Sequence, residues 1–289
     1  METVKILIAC HKPYDGYRDK VYTPIHVGRA ISNYKEEMLD MIGDDTGENI
    51  SNKNPYYCEL TAQYWAWKNL KNTKYVGLAH YRRFLGCKFT EENTSFLFNQ
   101  DKYDVILPMP IYCRTDVATR LALASTQEDL HIFLAVIKKQ KPEYYPAALQ
   151  YIQNNIVIGY NMFVMKYDIF SQFAEWQFNI LFEMEKYVKV SSYTRAKRIF
   201  GYYAEALLPI YCIKNGFNIR YVDINPCLTD CTNISFAVVK RLKSKYSFIK
   251  SKVYFRMSQK LYLKEPAVFL GLRTDFKTTD IDKFFLYNE

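Results

Sequence analysis

The chain has 289 residues, of which 49% are hydrophobic and 17% aromatic, which excludes a disordered protein and allows one large domain. Its formal net charge of +9 comes from one segment, because residues Lys240–Lys264 include nine Lys or Arg and no acidic residue. In the rest of the chain, 30 basic residues balance 30 acidic ones. No run of about 18 apolar residues occurs, which argues against a membrane-spanning helix.

The N-terminus and the cysteines both favour a cytoplasmic setting. Met1 is followed at once by a strand-like run, without the basic region, apolar core and cleavage site of a secretory signal. The seven cysteines are scattered, and the pair Cys227 and Cys231 lacks further ligands for a zinc ion. We therefore expect reduced thiols and no structural metal.

Strands and helices are predicted to alternate along the chain. Short apolar runs predict strands at residues 3–10, 74–79, 103–108, 155–166 and 218–223. Helix start signals lie at Asn54-Pro55, at a capping box beginning with Ser125, and at Asp168, and a further helix from about residue 200 to 215 contains Pro209 and ends at Gly216. This alternation predicts an α/β fold with an open, mostly parallel sheet flanked by helices.

Apolar residues at helical spacing predict the buried faces of three helices. We expect one globular domain at residues 1–235, followed by a basic helical segment at residues 236–289. The residues predicted to face the core are Leu60, Tyr64 and Trp67, then Leu130, Phe133, Leu134 and Ile137, then Phe173, Trp176 and Ile180.

The segment Tyr75–Phe84 (YVGLAHYRRF) is the most informative stretch, because an apolar strand runs directly into His80, Arg82 and Arg83. Ligands of α/β folds bind at the carboxyl ends of strands, and guanidinium groups bind phosphate through paired hydrogen bonds. A pair of surface arginines in a loop is the alternative. The preceding residues are too apolar for an exposed strand, so the pattern favours an anion site.

A second group of polar residues follows the first predicted strand. His11, Lys12 and Tyr14 stand at a position that faces the ligand crevice of a doubly wound fold. A lysine there can neutralise phosphate and a tyrosine ring can stack on a base. A solvated loop explains the same residues equally well.

The segment GDDTGENIS is rich in turn-forming residues and contains Asp44, Asp45 and Asn49. Side-chain hydrogen bonds to the local backbone are the usual role of such residues. The alternating acids and final Glu of a calcium-binding loop are missing. A rigid polar loop that binds sugar hydroxyls is the functional alternative.

Two isolated polar residues lie in apolar surroundings. Asn161 falls within the predicted strand at residues 155–166, where a buried amide needs partners from the backbone or from a substrate. Glu205 is placed near the start of an apolar helix, where the helix dipole alone explains an acidic residue. Such a carboxylate can also act as a general base on a sugar hydroxyl.

Several common catalytic motifs are missing from the sequence. It has neither the nucleophile elbow GxSxG nor a GxGxxG or Walker-type phosphate loop. No zinc finger, helix-turn-helix or RNA-binding signature accompanies its basic residues, so we expect no nucleic-acid partner.

The stretch Lys240–Lys264, here called the basic segment, has an amphipathic pattern. Val239, Leu242, Tyr246, Ile249 and Val253 recur at helical spacing, with Lys and Arg mostly on the other face. Such a helix binds anionic membrane surfaces, each cation contributing about 1 kcal/mol. Packing on the protein body with a solvated cationic face is the alternative, and the two are compatible.

Seven ordered blocks between about residues 5 and 225 resemble a family of bacterial glycosyltransferases from capsule and O-antigen gene clusters, first catalogued as a domain of unknown function. The basic segment lies outside this resemblance. The blocks are HKPY (11–14), YTPIHVGRA (22–30), GDDTGENIS (43–51), YYCELTAQYWAWKN (56–69), YVGLAHYRR (75–83), YNMFVMK (160–166) and GYYAEALL (201–208).

The resemblance implies a GT-A-like, Rossmann-type fold that binds a UDP-sugar, with galactofuranose or another hexose as the sugar. The implied acceptor is a lipid-linked oligosaccharide of capsule or O-antigen synthesis, at the inner face of the cell membrane, where the basic segment docks. The HYRR residues stand where other GT-A enzymes carry a metal-binding DxD, so the resemblance implies a metal-independent enzyme without a cofactor, with use of a divalent metal as the less favoured alternative.

The resemblance also implies roles for single residues. His80, Arg82, Arg83 and Lys12 are expected to bind the donor diphosphate, and Glu205 to deprotonate the acceptor, with Asp45 or Asp44 as rivals for that role. The nucleotide and the sugar are expected to contact His11, Tyr14, Asp44, Asn49 and Asn161. The main alternative is a non-catalytic protein of the same fold that recognises a sugar nucleotide or a glycan.

Overall fold

The computed structural model describes residues 4–86, 88–193 and 195–228, together with Tyr246, Ile249, Lys250 and Val253. The strands are β1 (Val4–Cys10), β2 (Tyr22–His26), β3 (Ile42–Gly43), β4 (Tyr75–His80), β5 (Phe84–Leu85), β6 (Val105–Pro108), β7 (Ile111–Tyr112), β8 (Ile156–Val157), β9 (Phe163–Lys166), β10 (Ile219–Val222) and β11 (Ile224–Asn225). The helices are α1 (Asn54–Tyr57), α2 (Leu60–Asn69), α3 (Glu91–Asn99), α4 (Val117–Ala124), α5 (Gln127–Gln140), α6 (Tyr145–Ile152), α7 (Tyr167–Glu185) and α8 (Ile199–Asn215).

Seven strands form one mostly parallel sheet in the order β10-β6-β9-β4-β1-β2-β3. All neighbouring pairs are parallel except those of β9, which runs antiparallel to both β4 and β6. The predicted α/β class with an open, mostly parallel sheet is therefore confirmed. Two short antiparallel pairs, β5 with β11 and β7 with β8, lie outside this sheet.

The central strand β1 shows why helices cover both faces of the sheet. All seven of its residues are buried. Leu7 and Ala9 belong to one apolar cluster, with side chains of α2, α5, α7 and α8, whereas Ile6 and Ile8 belong to another with side chains of α3. Successive side chains of a strand point to opposite faces, so this strand has a core on each side. The helical residues predicted to face the core are buried, except Trp67, which is partly exposed.

The helix predicted to start at Asn54 is broken in two. Cys58 has φ 53° and ends α1, and α2 begins at Leu60. The side-chain amide of Asn54 donates to the carbonyl of Cys58 at 2.8 Å, which satisfies an acceptor at the break. The break leaves Glu59 as the residue that directly precedes α2.

The strand predicted at residues 155–166 is wrong as one element. Only β8 and β9 are extended, and Tyr160 and Asn161 between them adopt left-handed backbone angles, with φ 74° and 50°. Asn161 is therefore in a turn and not in a strand.

Helix starts differ in detail from the predictions. The capping box of α5 uses Thr126 and Asp129, not Ser125 and Glu128, and the side chain of Asp168 lies within the first turn of α7 without capping it. Gly216 ends α8 with φ 64°, as predicted. The helices α3, α4 and α6 were not predicted.

The predicted C-terminal segment at residues 236–289 lies outside the described residues apart from four. Those four are helical, and Tyr246, Ile249 and Val253 among them are exposed. Within the described part of the chain, no helix is both long enough and apolar enough to cross a membrane.

Candidate active site

A cavity of about 680 Å³ opens beside the carboxyl ends of β1 and β4. These strands are parallel neighbours with Ala9 opposite His80, so the residues that follow them meet at one edge of the sheet. The α1–α2 junction, the turn before β9 and the start of α8 form the other walls. The cavity therefore lies where ligands of open α/β sheets bind.

The residues His80–Arg83, here called the HYRR turn, form a tight hairpin at the end of β4. The backbone N–H of His80 donates to the carbonyl of Arg83, and the N–H of Arg83 donates to the carbonyl of His80, both at 3.0 Å. Arg82 stacks on the ring of Tyr81 at 4.8 Å and Arg83 on the ring of Tyr160 at 4.7 Å. Both guanidinium groups line the cavity, as does His80.

The residues Arg195–Arg198, here called the basic run, add a second group of cations. Arg195, Lys197 and Arg198 line the cavity just before α8, and none of them was singled out from the sequence. Within the described residues, neither these three nor the two arginines of the HYRR turn form an ion pair with a carboxylate. These five cations outnumber the two carboxylic acids of the cavity lining, Glu59 and Glu205, and this excess of positive charge favours an anionic ligand.

His11 lies between the two groups of cations. Its ring meets the ring of Tyr81 edge to face at 5.1 Å. Burial lowers the pKa of His11, and the charges of Lys12, Arg198 and Arg82 lower it further. Charges of both the HYRR turn and the basic run therefore act on the same imidazole, which indicates that the two groups of cations lie close to each other in the cavity.

Glu205 lines the cavity from α8 and is partly buried. Burial raises the pKa of its carboxyl group to about 7, and the nearby charge of Glu59 adds to that effect. Glu205 is the seventh residue of α8, beyond the first helical turn, so the dipole explanation offered by the sequence is wrong. A carboxyl group with this pKa exchanges a proton near neutral pH, as a general base must.

Asn161 and Glu59 meet beside Glu205. The amide nitrogen of Asn161 donates to Glu59 Oε1 at 2.7 Å and to the carbonyl of Gly201 at 3.1 Å. Asn161 is buried, and its partners here are protein groups. Glu59 lines the cavity but was missed, because the sequence predicts it inside a continuous helix.

Asp44 lies outside the cavity lining and supports the backbone. It is buried and accepts hydrogen bonds from the N–H groups of Gly28 at 2.7 Å and Arg29 at 3.0 Å, and from the hydroxyl of Ser51. Gly28 has φ 69°, so Asp44 stabilises a turn that favours glycine.

The remaining predicted residues are also outside the cavity lining. Asp45 lies 3.5 Å from the guanidinium of Arg29, and the amide of Asn49 donates to the carbonyls of Asp45 and Gly47. The hydroxyl of Tyr14 donates to the carbonyl of Tyr17. Lys12 is exposed and reaches the site only through its charge on His11. Their roles stay predictions.

Two of the residues that line the cavity, Glu59 and Glu205, carry carboxylic acids. Among the described residues, no group of three or more His, Cys, Asp or Glu side chains is arranged to hold a metal ion.

Comparisons with known proteins place the chain in a family. A search of curated proteins finds no match. The solved structure titled "WbbM bifunctional glycosytransferase apo structure" is similar, with 32% sequence identity and a TM-score of 0.67 over 77% of this chain and 45% of that chain. The chain thus spans less than half of that relative. The model of the family described as "Domain of unknown function (DUF4422)" matches residues 5–216. This range includes every residue that lines the cavity. The chain therefore belongs to this family.

Proposed function

We propose that the chain is a glycosyltransferase that transfers a sugar from a nucleotide diphosphate sugar to a hydroxyl group. The observation that carries this proposal is the cavity, in which five cations that form no ion pair with a carboxylate of the described residues lie together with Glu205 and Glu59. The similarity to a structure titled as a glycosyltransferase supports it.

The cations would bind and stabilise the diphosphate. Arg82 and Arg83 approach from the HYRR turn and Arg198 from the basic run. When the bond between the anomeric carbon and the phosphate oxygen breaks, negative charge develops on the departing nucleoside diphosphate. Preorganised guanidinium groups stabilise that charge more than they stabilise the bound donor, which lowers the barrier.

Glu205 would accept the proton of the attacking hydroxyl group. The acceptor oxygen bonds to the anomeric carbon, its proton passes to the carboxylate, and the nucleoside diphosphate leaves with the electron pair of the broken bond. A pKa of about 7 keeps part of Glu205 deprotonated at neutral pH and makes it a stronger base than an exposed glutamate.

The finer assignments belong to this proposal too. The donor we propose is a UDP-sugar, with UDP-galactofuranose to be tested first, and the acceptor is a lipid-linked oligosaccharide at the cytoplasmic face of the membrane. Diphosphate binding by the cations replaces binding by a metal. The alternative, a protein that binds a sugar nucleotide without transferring it, uses the same cavity.

A thermal-shift panel of nucleotide sugars, with and without EDTA, tests the donor and the metal together. We expect UDP-sugars to raise the melting temperature equally in both conditions. Transfer that is abolished by EDTA and restored by manganese would contradict the metal-independent part. Binding without transfer or hydrolysis of any UDP-sugar would favour the non-catalytic alternative.

Replacing Glu205 with Gln tests the proposed base. We expect turnover to fall by about 100-fold or more, with unchanged UDP affinity, because the variant keeps the cations but cannot accept a proton. Glu175, an exposed residue of α7 outside the cavity lining, provides the matched control Glu175→Gln. Loss of UDP binding in Glu205→Gln would count against the assignment.

A further inference from the structure

Two consecutive non-glycine residues beside the cavity have left-handed backbone angles. Tyr160 has φ 74° and Asn161 has φ 50°. Asparagine tolerates this conformation, but a tyrosine in it costs free energy that the surrounding contacts must offset. These two residues, here called the Tyr160–Asn161 turn, connect β8 to β9.

Tyr160 contacts three residues of the proposed site with three different groups. Its carbonyl oxygen is 2.6 Å from His80 Nε2, and its ring lies under the guanidinium of Arg83 at 4.7 Å. Its backbone amide faces the carboxyl group of Glu205 and favours the charged form of that group. The adjacent Gly159 also packs against Glu205, since a Cβ atom added there would lie 3.4 Å from Glu205 Oε2.

The side chain of Asn161 connects the turn to two helices through hydrogen bonds. Its amide nitrogen binds Glu59 at the start of α2 and the carbonyl of Gly201 in the first turns of α8. The side chain is 3% exposed, so both hydrogen bonds form in a space with little competition from water. The turn is therefore held both by the residue that precedes α2 and by α8, the helix that carries Glu205.

We propose that the Tyr160–Asn161 turn is a positioning element that fixes Glu205 relative to Arg83 and His80, so that the proposed base and the proposed diphosphate-binding groups keep one geometry. This inference rests on the proposed function. Tyr160 acts on Glu205 through its backbone and on Arg83 through its ring, whereas Asn161 acts through the conformation of the turn. The two residues therefore have separable effects.

The charged and titratable groups around Glu205 determine the expected direction of a pKa change. Glu59 on α2 raises the pKa of Glu205, and Arg120 on α4 and Arg83 of the HYRR turn lower it. Tyr151 on α6 and Cys58 at the α1–α2 junction also face Glu205 and are neutral at pH 7, because their own pKa values are raised by burial. Releasing the Tyr160 amide removes a favourable contact of the charged form, so the pKa of Glu205 rises.

The substitution Asn161→Gly tests the role of the turn. Glycine accepts the left-handed angles but lacks the amide that binds Glu59 and Gly201. We expect the midpoint of the Glu205 carboxyl titration, followed by carbon-13 NMR, to rise by about one pH unit from its wild-type value, and turnover to fall by about tenfold at pH 7. The matched control is Asn72→Gly, because Asn72 has φ 58° in an exposed turn outside the cavity lining.

A second pair of variants separates the ring from the backbone. Tyr160→Leu removes the ring under Arg83 and should weaken UDP binding by about fivefold, while the Glu205 midpoint should move less than in Asn161→Gly because the backbone amide is kept. Tyr160→Phe keeps the ring and should leave both quantities unchanged. An unmoved Glu205 midpoint in a folded Asn161→Gly protein, or equal UDP affinity in Tyr160→Leu and wild type, overturns the inference. If no UDP-sugar is transferred by the wild type, the proposed function fails while the titration still tests the turn.

Discussion

Burial and neighbouring charges give Glu205 properties that its sequence context does not reveal. Its pKa is raised from 4.5 to about 7 by burial and by Glu59, although Arg120 and Arg83 oppose the shift. The folded protein therefore keeps a proton on this group over a pH range in which the unfolded chain has lost it. The protonated group stabilises the fold below pH 4.5, and that contribution is lost as the pH rises through 7.

This linkage predicts a pH-dependent effect of Glu205→Gln on stability. The variant should match the wild type at pH 4 and exceed its free energy of unfolding by on the order of 3 kcal/mol at pH 8, because the neutral amide never has to ionise in the cavity. Urea unfolding at the two pH values measures the difference. A lower free energy of unfolding of Glu205→Gln than of the wild type at pH 8 would show that the folded protein stabilises the Glu205 carboxylate, which contradicts the raised pKa.

Of the residues that line the cavity, the sequence predicted His11 and three residues of the HYRR turn, which follow strands, and Glu205 in a helix, but it missed the basic run and Glu59. His80, Arg82 and Arg83 were found because an apolar strand ends at them, and the cavity lies at that strand end. The basic run was missed, although its letters RAKR directly precede an apolar helix. Glu59 was missed because the sequence predicts one continuous helix there, whereas the structure breaks that helix at Cys58.

At the scale of elements, the segment GDDTGENIS joins two loops at the edge of the sheet. Asp44 follows β3 and accepts hydrogen bonds from the backbone that follows β2 and from Ser51. The turn-forming residues of this segment predicted such hydrogen bonds to the backbone. The sequence alone did not decide between that structural role and sugar binding. The long helices were also predicted, because the spacing of apolar residues within each segment indicates a helix. The break between α1 and α2 and the Tyr160–Asn161 turn were not predicted, because they depend on contacts between residues distant in sequence.

Replacing each of the two adjacent aspartates tests this structural role. Asp44→Ala leaves one buried N–H group, one partly buried N–H group and a hydroxyl without this acceptor and should lower the free energy of unfolding by about 3 kcal/mol. Asp45→Ala removes only a partly exposed contact with Arg29 and should cost less than about 1 kcal/mol. Denaturant unfolding of both variants measures this. Turnover lost in a stable Asp45→Ala protein would instead make Asp45 the base.

At the scale of the whole molecule, the charge of the chain is divided between the described body and the basic segment. The body has a local cationic cavity, whereas the basic segment holds the entire net excess of positive charge. This distribution of charge is consistent with the two anionic partners that we propose, a diphosphate in the cavity and a lipid surface at the basic segment.

Removing residues 236–289 tests the membrane partner. The shortened protein should no longer sediment with vesicles that contain anionic lipid, because about 1 kcal/mol is lost with each cation near the surface. UDP affinity should be unchanged, since every residue lining the cavity precedes residue 236. Vesicles of neutral lipid provide the control, and undiminished sedimentation of the shortened protein would contradict a docking role.

The antiparallel strand β9 has a consequence for how the chain folds during synthesis. It lies between β4 and β6, so no hydrogen-bonded strand links these two strands until residues 163–166 have been made. A nascent chain that ends earlier can pair β1 with β2 and β4 but leaves one edge of β4 without hydrogen-bond partners. Such an edge is prone to pair with another chain. Aggregation during synthesis is therefore expected to stop once β9 has left the ribosome and joined the two halves of the sheet.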